Sequence, residues 1–247
     1  MRDDYPLAKP SRWRGRLLLA ATVLGVGLTG WLGSWQLGRA TQKVALQSAI
    51  DTRGGLAPLP QAELAQSSQA LADQLYRRVA LRGHWLADRT IYLENRQMNG
   101  RPGFVVVTPL QWPGGAVLVQ RGWVARDNDS RTRLPALVTP TSEVELTGRI
   151  APPPARLYEF SAAASGAIRQ NLDPEHYARE IGLALLPGSV LQEDGPVADG
   201  LLRKWPLPAV DTQKHYGYAF QWWSMSALIV GLYVWYQLLQ PRIARPT

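Results

Sequence analysis

The chain of 247 residues carries 27 Lys and Arg against 19 Asp and Glu, a formal net charge of +8, and no cysteine. No disulfide or thiolate metal site can form without cysteine, and three Met and three His leave few ligands for any other metal chemistry. Hydrophobic residues make up 46 % of the chain, an ordinary share, so the information lies in where they fall.

Residues 1–16 form a basic tail, with Arg2, Lys9, Arg12, Arg14 and Arg16 against Asp3 and Asp4. Residues 17–38, LLLAATVLGVGLTGWLGSWQLG, then run without a charge. About 20 mostly apolar residues suffice for a helix to cross a bilayer. The run is too long for the apolar core of a cleaved signal peptide, and no small-x-small site follows it, so it reads as a retained transmembrane anchor. Gly30, Ser34 and Gly38 repeat every four residues, a small face that permits close helix contact.

Residues 39–214 are long enough for a domain with its own core. Residues 60–76 predict a modestly amphipathic helix, with apolar side chains at Leu64, Leu71 and Leu75. The pattern then turns to β: strands are predicted over 75–85, 90–95, 103–111, 116–124 and 143–150. Asn99-Gly100, Pro113-Gly114-Gly115 and Asp127-Asn128-Asp129 separate them as turn signals. Short strands so punctuated predict an antiparallel sheet, sandwich or barrel. Residues 151–154 (APPP) and 161–167 (SAAASGA) read as loops. A short helix is predicted over 174–181, capped by Asp173, with Pro174 at its first position and Gly182 ending it. A further β pair is expected around 190–192 and 201–205.

The second charge-free run opens within KHYGYAFQWW (214–223), just after Lys214, and lasts until Arg242. It predicts a second transmembrane helix over 215–240, in which Ala227 and Gly231 repeat the four-residue small spacing. Residues 241–247 are a tail with Arg242 and Arg245. The two short tails together hold +5 of the +8, and the middle holds +3. Short basic flanks stay in the cytoplasm. The chain therefore reads as a two-pass protein with both termini cytoplasmic and the central domain outside. Its high pI is a topology signal, and the middle lacks the concentrated basic stripe that nucleic-acid binding needs.

Catalytic signatures are missing. There is no G-x-S-x-G elbow, no phosphate-cradling G-x-x-x-x-G-K and no H-E-x-x-H. Glu143 and Glu145 read as a solvated strand edge, His84 as a half-buried strand residue and His176 as surface. Without a nucleophile–base pair, the chain is not expected to be an enzyme. Copper delivery is disfavoured because copper carriers need soft ligands. Arg96, Arg101, Arg121 and Arg126 recur near turns. They either solvate the sheet rim and pair with Asp127 or Glu94, or, for Arg96 and Arg121, act as buried ion-pair partners that fix the sheet.

The motifs LGSWQLGRATQK (32–43), LRGHWL (81–86), YLENRQMNGRPGFVVVTPL (92–110), VLVQRGWVAR (117–126) and KHYGYAFQWW follow in order between the two spans. This series resembles the Surfeit locus protein 1 family, membrane proteins of cytochrome c oxidase assembly. The likeness runs from about residue 16 to 240, and only loosely over 151–205. It implies an assembly factor that binds heme a and assists its insertion into oxidase subunit I, with heme a synthase as a further partner. It also implies a bacterial inner membrane with a periplasmic central domain. The family's proposed heme ligand, the histidine opening the second span, corresponds to His215.

A neutral imidazole nitrogen is a good axial ligand for heme iron. Helical spacing puts His215, Tyr218 and Trp222 on one face as a candidate heme-binding set, with Lys214, Arg39 and Lys43 within reach of propionates. Tyr and Trp also populate the interface of any membrane anchor, so the same residues fit an aromatic belt. The runner-up reading is a scaffold that stabilises an oxidase assembly intermediate without touching heme.

Overall fold

The computed structural model describes residues 12–127, 133–158, 166–195, 199–205 and 212–240. Asn128-Asp129, most of the 161–167 loop, Arg242 and Arg245 lie outside the described residues. The chain divides into two compact units: Ser48–Leu207, and the residues on either side of it.

Helix α1 spans Arg12–Gly54, and its residues up to Gln47 belong to the flanking unit. The anchor expected over 17–38 therefore continues past its apolar run. Residues 39–53 (RATQKVALQSAIDTR) contain neither proline nor glycine, and Gly54-Gly55 supplies the stop. Leu17, Leu18, Leu19, Val23, Leu24 and Leu28 are all exposed, Leu24 at 74 %. A helix that shows large apolar side chains so widely is long and apolar enough to cross a membrane. Helix α4 spans Gln213–Tyr233 and continues as a π-helical segment, Val234–Leu239. The helix expected over 215–240 is thus present. By length and hydropathy, however, α1 is the one described helix that qualifies to cross a membrane. Tyr216, Tyr218, Gln221, Ser224 and Ser226 dilute the apolar character of α4.

The β-rich unit carries β1 (Leu59–Pro60), β2 (Arg78–Trp85), β3 (Ile91–Met98), β4 (Arg101–Trp112), β5 (Gly115–Ala125), β6 (Val144–Ala151), β7 (Ile168–Arg169) and β8 (Ser189–Gln192). They form one sheet in the order β1-β2-β6-β8-β5-β4-β3-β7. The long pairings are antiparallel, as expected; β1–β2, β5–β8 and β3–β7 are short and parallel. The end of β2 also pairs with β4, His84 with Gln111 and Trp85 with Leu110. The ladder β2–β6–β8–β5–β4 thus returns to β2.

Turn chemistry decides the hairpins. Asn99 and Gly100 between β3 and β4 both have positive φ, 52° and 74°, the conformation a two-residue hairpin turn demands. Sequence runs such as FVVV in β4 and AVLV in β5 do not alternate, because both sheet faces are covered. One core cluster includes Val79, Leu81, Leu110, Val119, Ile150 and Leu71; a second joins Ile91, Leu93, Val107 and Leu118 to Leu172 and Tyr177.

Two expected elements are corrected. The helix expected over 60–76 splits: Pro60 lies in β1, Gln61–Glu63 form a 3-10 turn, and helix α2 is only Ser68–Gln74. Ser67 caps α2 by accepting from Ala70 N. The Gln74 side chain reaches back to Glu63 O (2.7 Å) and accepts from Ala65 N (2.9 Å), which satisfies the extended backbone between. The strands expected at 190–192 and 201–205 do not pair with each other. β8 sits between β5 and β6, and Leu202 forms a lone bridge to Trp123.

Helix α3, Pro174–Ile181, forms with the expected signals. Asp173 accepts from Glu175 N and His176 N, and Gly182 ends the helix at φ 66°. Tyr177 is buried and donates to Arg89 O. Burial pushes its phenol pKa up to about 12. The hydrogen bond from His176 N–H is the largest cause holding the Asp173 carboxyl below its ordinary pKa. Losing a cap of this kind costs about 1 kcal/mol, about 2–4 °C in the melting of a unit this size. Asp173→Ala should lower the melting temperature of the full chain in detergent by that amount, and Asp173→Asn by less. A depressed carboxyl pKa contributes stability above the unfolded value. The gap between wild type and Asp173→Ala should therefore close as pH falls through the depressed pKa.

Candidate functional site

The candidate site is built where α4 lies on α1. Gly25, Thr29, Gly33 and Gln36 of α1 meet Ile229, Ser226, Trp223 and His215 of α4, so the helices run antiparallel. A Cβ at Gly33 would strike the Trp223 indole, and one at Gly25 would lie 3.4 Å from Ile229 Cδ1. Thr29 Oγ1 contacts Ser226 Oγ at 2.5 Å and also donates to Gly25 O at 2.8 Å. The helices pack, but along a different stripe from the small faces read in the sequence. Gly30 stands near Ser226, whereas Ser34 and Ala227 are exposed and nothing lies within 4 Å of where a Cβ would sit on Gly38 or Gly231. Spacings of four, four and three from Gly25 follow the true helical period and keep one face toward the partner.

His215 is half-buried near the start of α4, and its Nδ1 lies 2.8 Å from Gln36 Oε1. With the amide oxygen facing the ring, Nδ1 is the donor, and in the neutral ring this arrangement leaves the lone pair on Nε2. Trp222 is half-buried on the same side as His215, with the buried Ala219 between them. Tyr218 stands apart from this packed face at 52 % exposure. Tyr216, Phe220 and Trp223 also expose much of their rings, as do Trp31 and Trp35 of α1. Arg39 lies over the Trp35 ring at 5.6 Å. Gln36 escaped the sequence reading as a site residue, although it sits inside the quoted run LGSWQLGR. Its partner lies far away in the sequence, and nothing local marks it.

The β-rich unit holds a second polar cluster. Register skips Arg121: Val106 pairs with Gly122 and Val107 with Gln120. This bulge turns the Arg121 side chain into the protein, where it is 2 % exposed. It donates to Thr139 Oγ1 (2.7 Å) and Val138 O (3.2 Å) and lies over the Trp85 ring at 4.7 Å. Burial lowers its pKa, with nearby Asp199 opposing. Arg96 donates to Ala155 O (2.7 Å) and Gln170 O (3.0 Å), and burial lowers its pKa too. Neither sequence alternative holds for this pair. Arg121 is buried and Arg96 half-buried, but their hydrogen-bond partners are carbonyls and a hydroxyl rather than carboxylates. Trp85, Arg121, Val144, Leu146, Gln192 and Asp199 line a cavity of about 350 Å³.

The remaining candidates are quiet. Glu143 and Glu145 both pair with Arg82 at the surface, and His84 and His176 are exposed. Among the described residues no three His, Asp or Glu side chains gather to hold a metal ion.

The sequence model of the SURF1 family matches residues 23–227, which include Gln36 and His215. A SURF1-like protein of Rickettsia bellii is 27 % identical over 212 residues, 82 % of this chain and 83 % of that protein. An uncharacterized SURF1-like protein of Mycobacterium bovis is 29 % identical over 80 % of this chain and 73 % of its own. The cytochrome oxidase assembly protein SHY1 of Saccharomyces cerevisiae is 32 % identical over 106 residues, 41 % of this chain but only 27 % of the yeast protein.

Because the chain has no cysteine, the helix contact can be tested by engineered pairs. Thr29→Cys with Ser226→Cys should cross-link readily under mild oxidation in membranes. Ser34→Cys with Ala227→Cys should not. The reverse pattern would place the contact on the other stripe.

Proposed function

The chain belongs to the SURF1 family, and from that premise we propose that it is a membrane-anchored assembly factor for cytochrome c oxidase that carries heme a toward oxidase subunit I. The observation that carries this reading is the state of His215. Its Nδ1 is engaged by Gln36 and its Nε2 is free, at the polar end of a helix whose next turns are rich in exposed aromatics. A neutral imidazole with one nitrogen anchored is the donor heme iron accepts. The aromatic surface of Tyr218 and Trp222 suits a macrocycle and an apolar tail, and the cations of Lys214, Arg39 and Lys43 suit propionates. Heme a is cargo here, so the protein needs to bind and release it and does no chemistry on it. The name of the yeast relative supports the oxidase as destination. Subunit I and heme a synthase are the partners this reading calls for.

The same reading makes α4 a second membrane crossing, supported by its freedom from charge between Lys214 and Arg242. It places both termini in the cytoplasm of a bacterium and the central domain, residues 39–214, in the periplasm. The ladder that returns to β2 supports a barrel-like shape for that domain.

Two experiments test this. Full-length protein purified from cells that make heme a should show near-stoichiometric heme a by absorption. His215→Ala, matched for Thr29–Ser226 cross-linking, should lose it. Equal heme in both, or none in either, favours a scaffold that touches no heme. For topology, a single cysteine at exposed Glu145 should react with an impermeant maleimide on intact spheroplasts, and one at Thr247 only after lysis. Labelling in the opposite sense overturns the orientation.

A further inference from the structure

We infer that Gln36 is a positioning residue that makes Nε2 the ligating atom of His215; the inference rests on the carrier reading above. A neutral histidine side chain has two tautomers, and a free one in water favours the proton on Nε2. In that form the outward nitrogen has no lone pair to give. The Gln36 amide oxygen, 2.8 Å from Nδ1, reverses the preference by accepting the Nδ1 hydrogen. The same bond fixes the ring plane, since a ring held at Nδ1 presents Nε2 away from α1.

Gln36 can do this only because the two helices lie close. It is the next position along the stripe after Gly25, Thr29 and Gly33, and Trp223 packed against Gly33 holds α4 near enough for a bond between side chains. Ligand presentation is thereby tied to helix packing. A neutral amide also orients the ring without adding charge. A carboxylate at the same place would pull the hydrogen toward itself and make Nε2 more basic.

The test uses the full chain in detergent with nitrogen-15 histidine. The chain has three His, so His215→Ala assigns the signals of His215. Without heme, the wild type should show a pyridine-like Nε2 and a protonated Nδ1 at His215. In Gln36→Leu the proton should move to Nε2, and Gln36→Glu should restore the wild-type tautomer. Titration with heme a should then show Gln36→Leu weakened about 10–100-fold, with Gln36→Glu at or above wild-type affinity. Cross-linking of the Thr29→Cys, Ser226→Cys pair in each background reports that the helices still pack.

A protonated Nε2 in the wild type overturns the inference whatever the heme result. If the wild type binds heme through His215 and Gln36→Leu binds it equally, the inference fails and the carrier reading stands. If the tautomers behave as expected but the wild type takes up no heme, the carrier reading fails, and Gln36 stands only as the residue that orients this ring.

Discussion

The contact between Gly33 and the Trp223 indole sets how closely α4 approaches α1, and the candidate site depends on that approach. On the proposed two-pass reading both helices lie in lipid, where no hydrophobic force drives their association, so shape and hydrogen bonds decide it. Small residues at 25 and 33 let side chains of α4 reach the α1 backbone. Thr29 and Ser226 add a polar contact at mid-stripe, a kind of interaction worth about 0.6 kcal/mol on average within membranes. His215 and Gln36 close the same stripe at its polar end. Packing and candidate chemistry therefore draw on one set of residues, and a side chain larger than hydrogen at Gly33 would disturb both.

The β-rich unit is organised by a different constraint, the burial of guanidinium groups. A charged side chain removed from water must find hydrogen bonds. Arg121 and Arg96 find them on carbonyls of segments without regular structure: Val138 for the first, Ala155 and Gln170 for the second. Each arginine thus ties an irregular segment to the sheet. Trp123 does the same within the sheet by donating to Arg96 O at 2.8 Å. The R-G-W run in β5 is in this light a set of anchors for loops. A bulge aims Arg121 at one of them.

Legibility in the sequence followed the range of the interactions. Elements set by local chemistry were readable. Asp173, Pro174 and Gly182 bound α3 where expected, Asn99-Gly100 turns the β3–β4 hairpin, and the five long strands fall within a few residues of their predicted limits. The 60–76 helix was misread because Gln74 and the core contacts of Leu64 and Ala65 favour an extended segment there, and both are tertiary effects. The strand partner of β8 was misread for the same reason, since 190–192 and 201–205 are near in sequence but their partners are far. At the site, His215 stood out because a titratable ring at the threshold of a charge-free run is unusual in itself. Gln36 did not, because a glutamine at the end of an apolar run is ordinary until its partner is known.

The pairing of a histidine with a glutamine, rather than with a carboxylate, bears on what the site is for. A carboxylate behind the ring strengthens its bond to a metal and is common where a metal must stay. It would also bring an ionised group to the edge of an apolar span, where charge is costly. An amide keeps the orientation and gives up the added strength. On the proposed carrier reading, that compromise suits a protein that must let its cargo go: the ring is presented in one tautomer and one plane, without the added strength a carboxylate would give its bond.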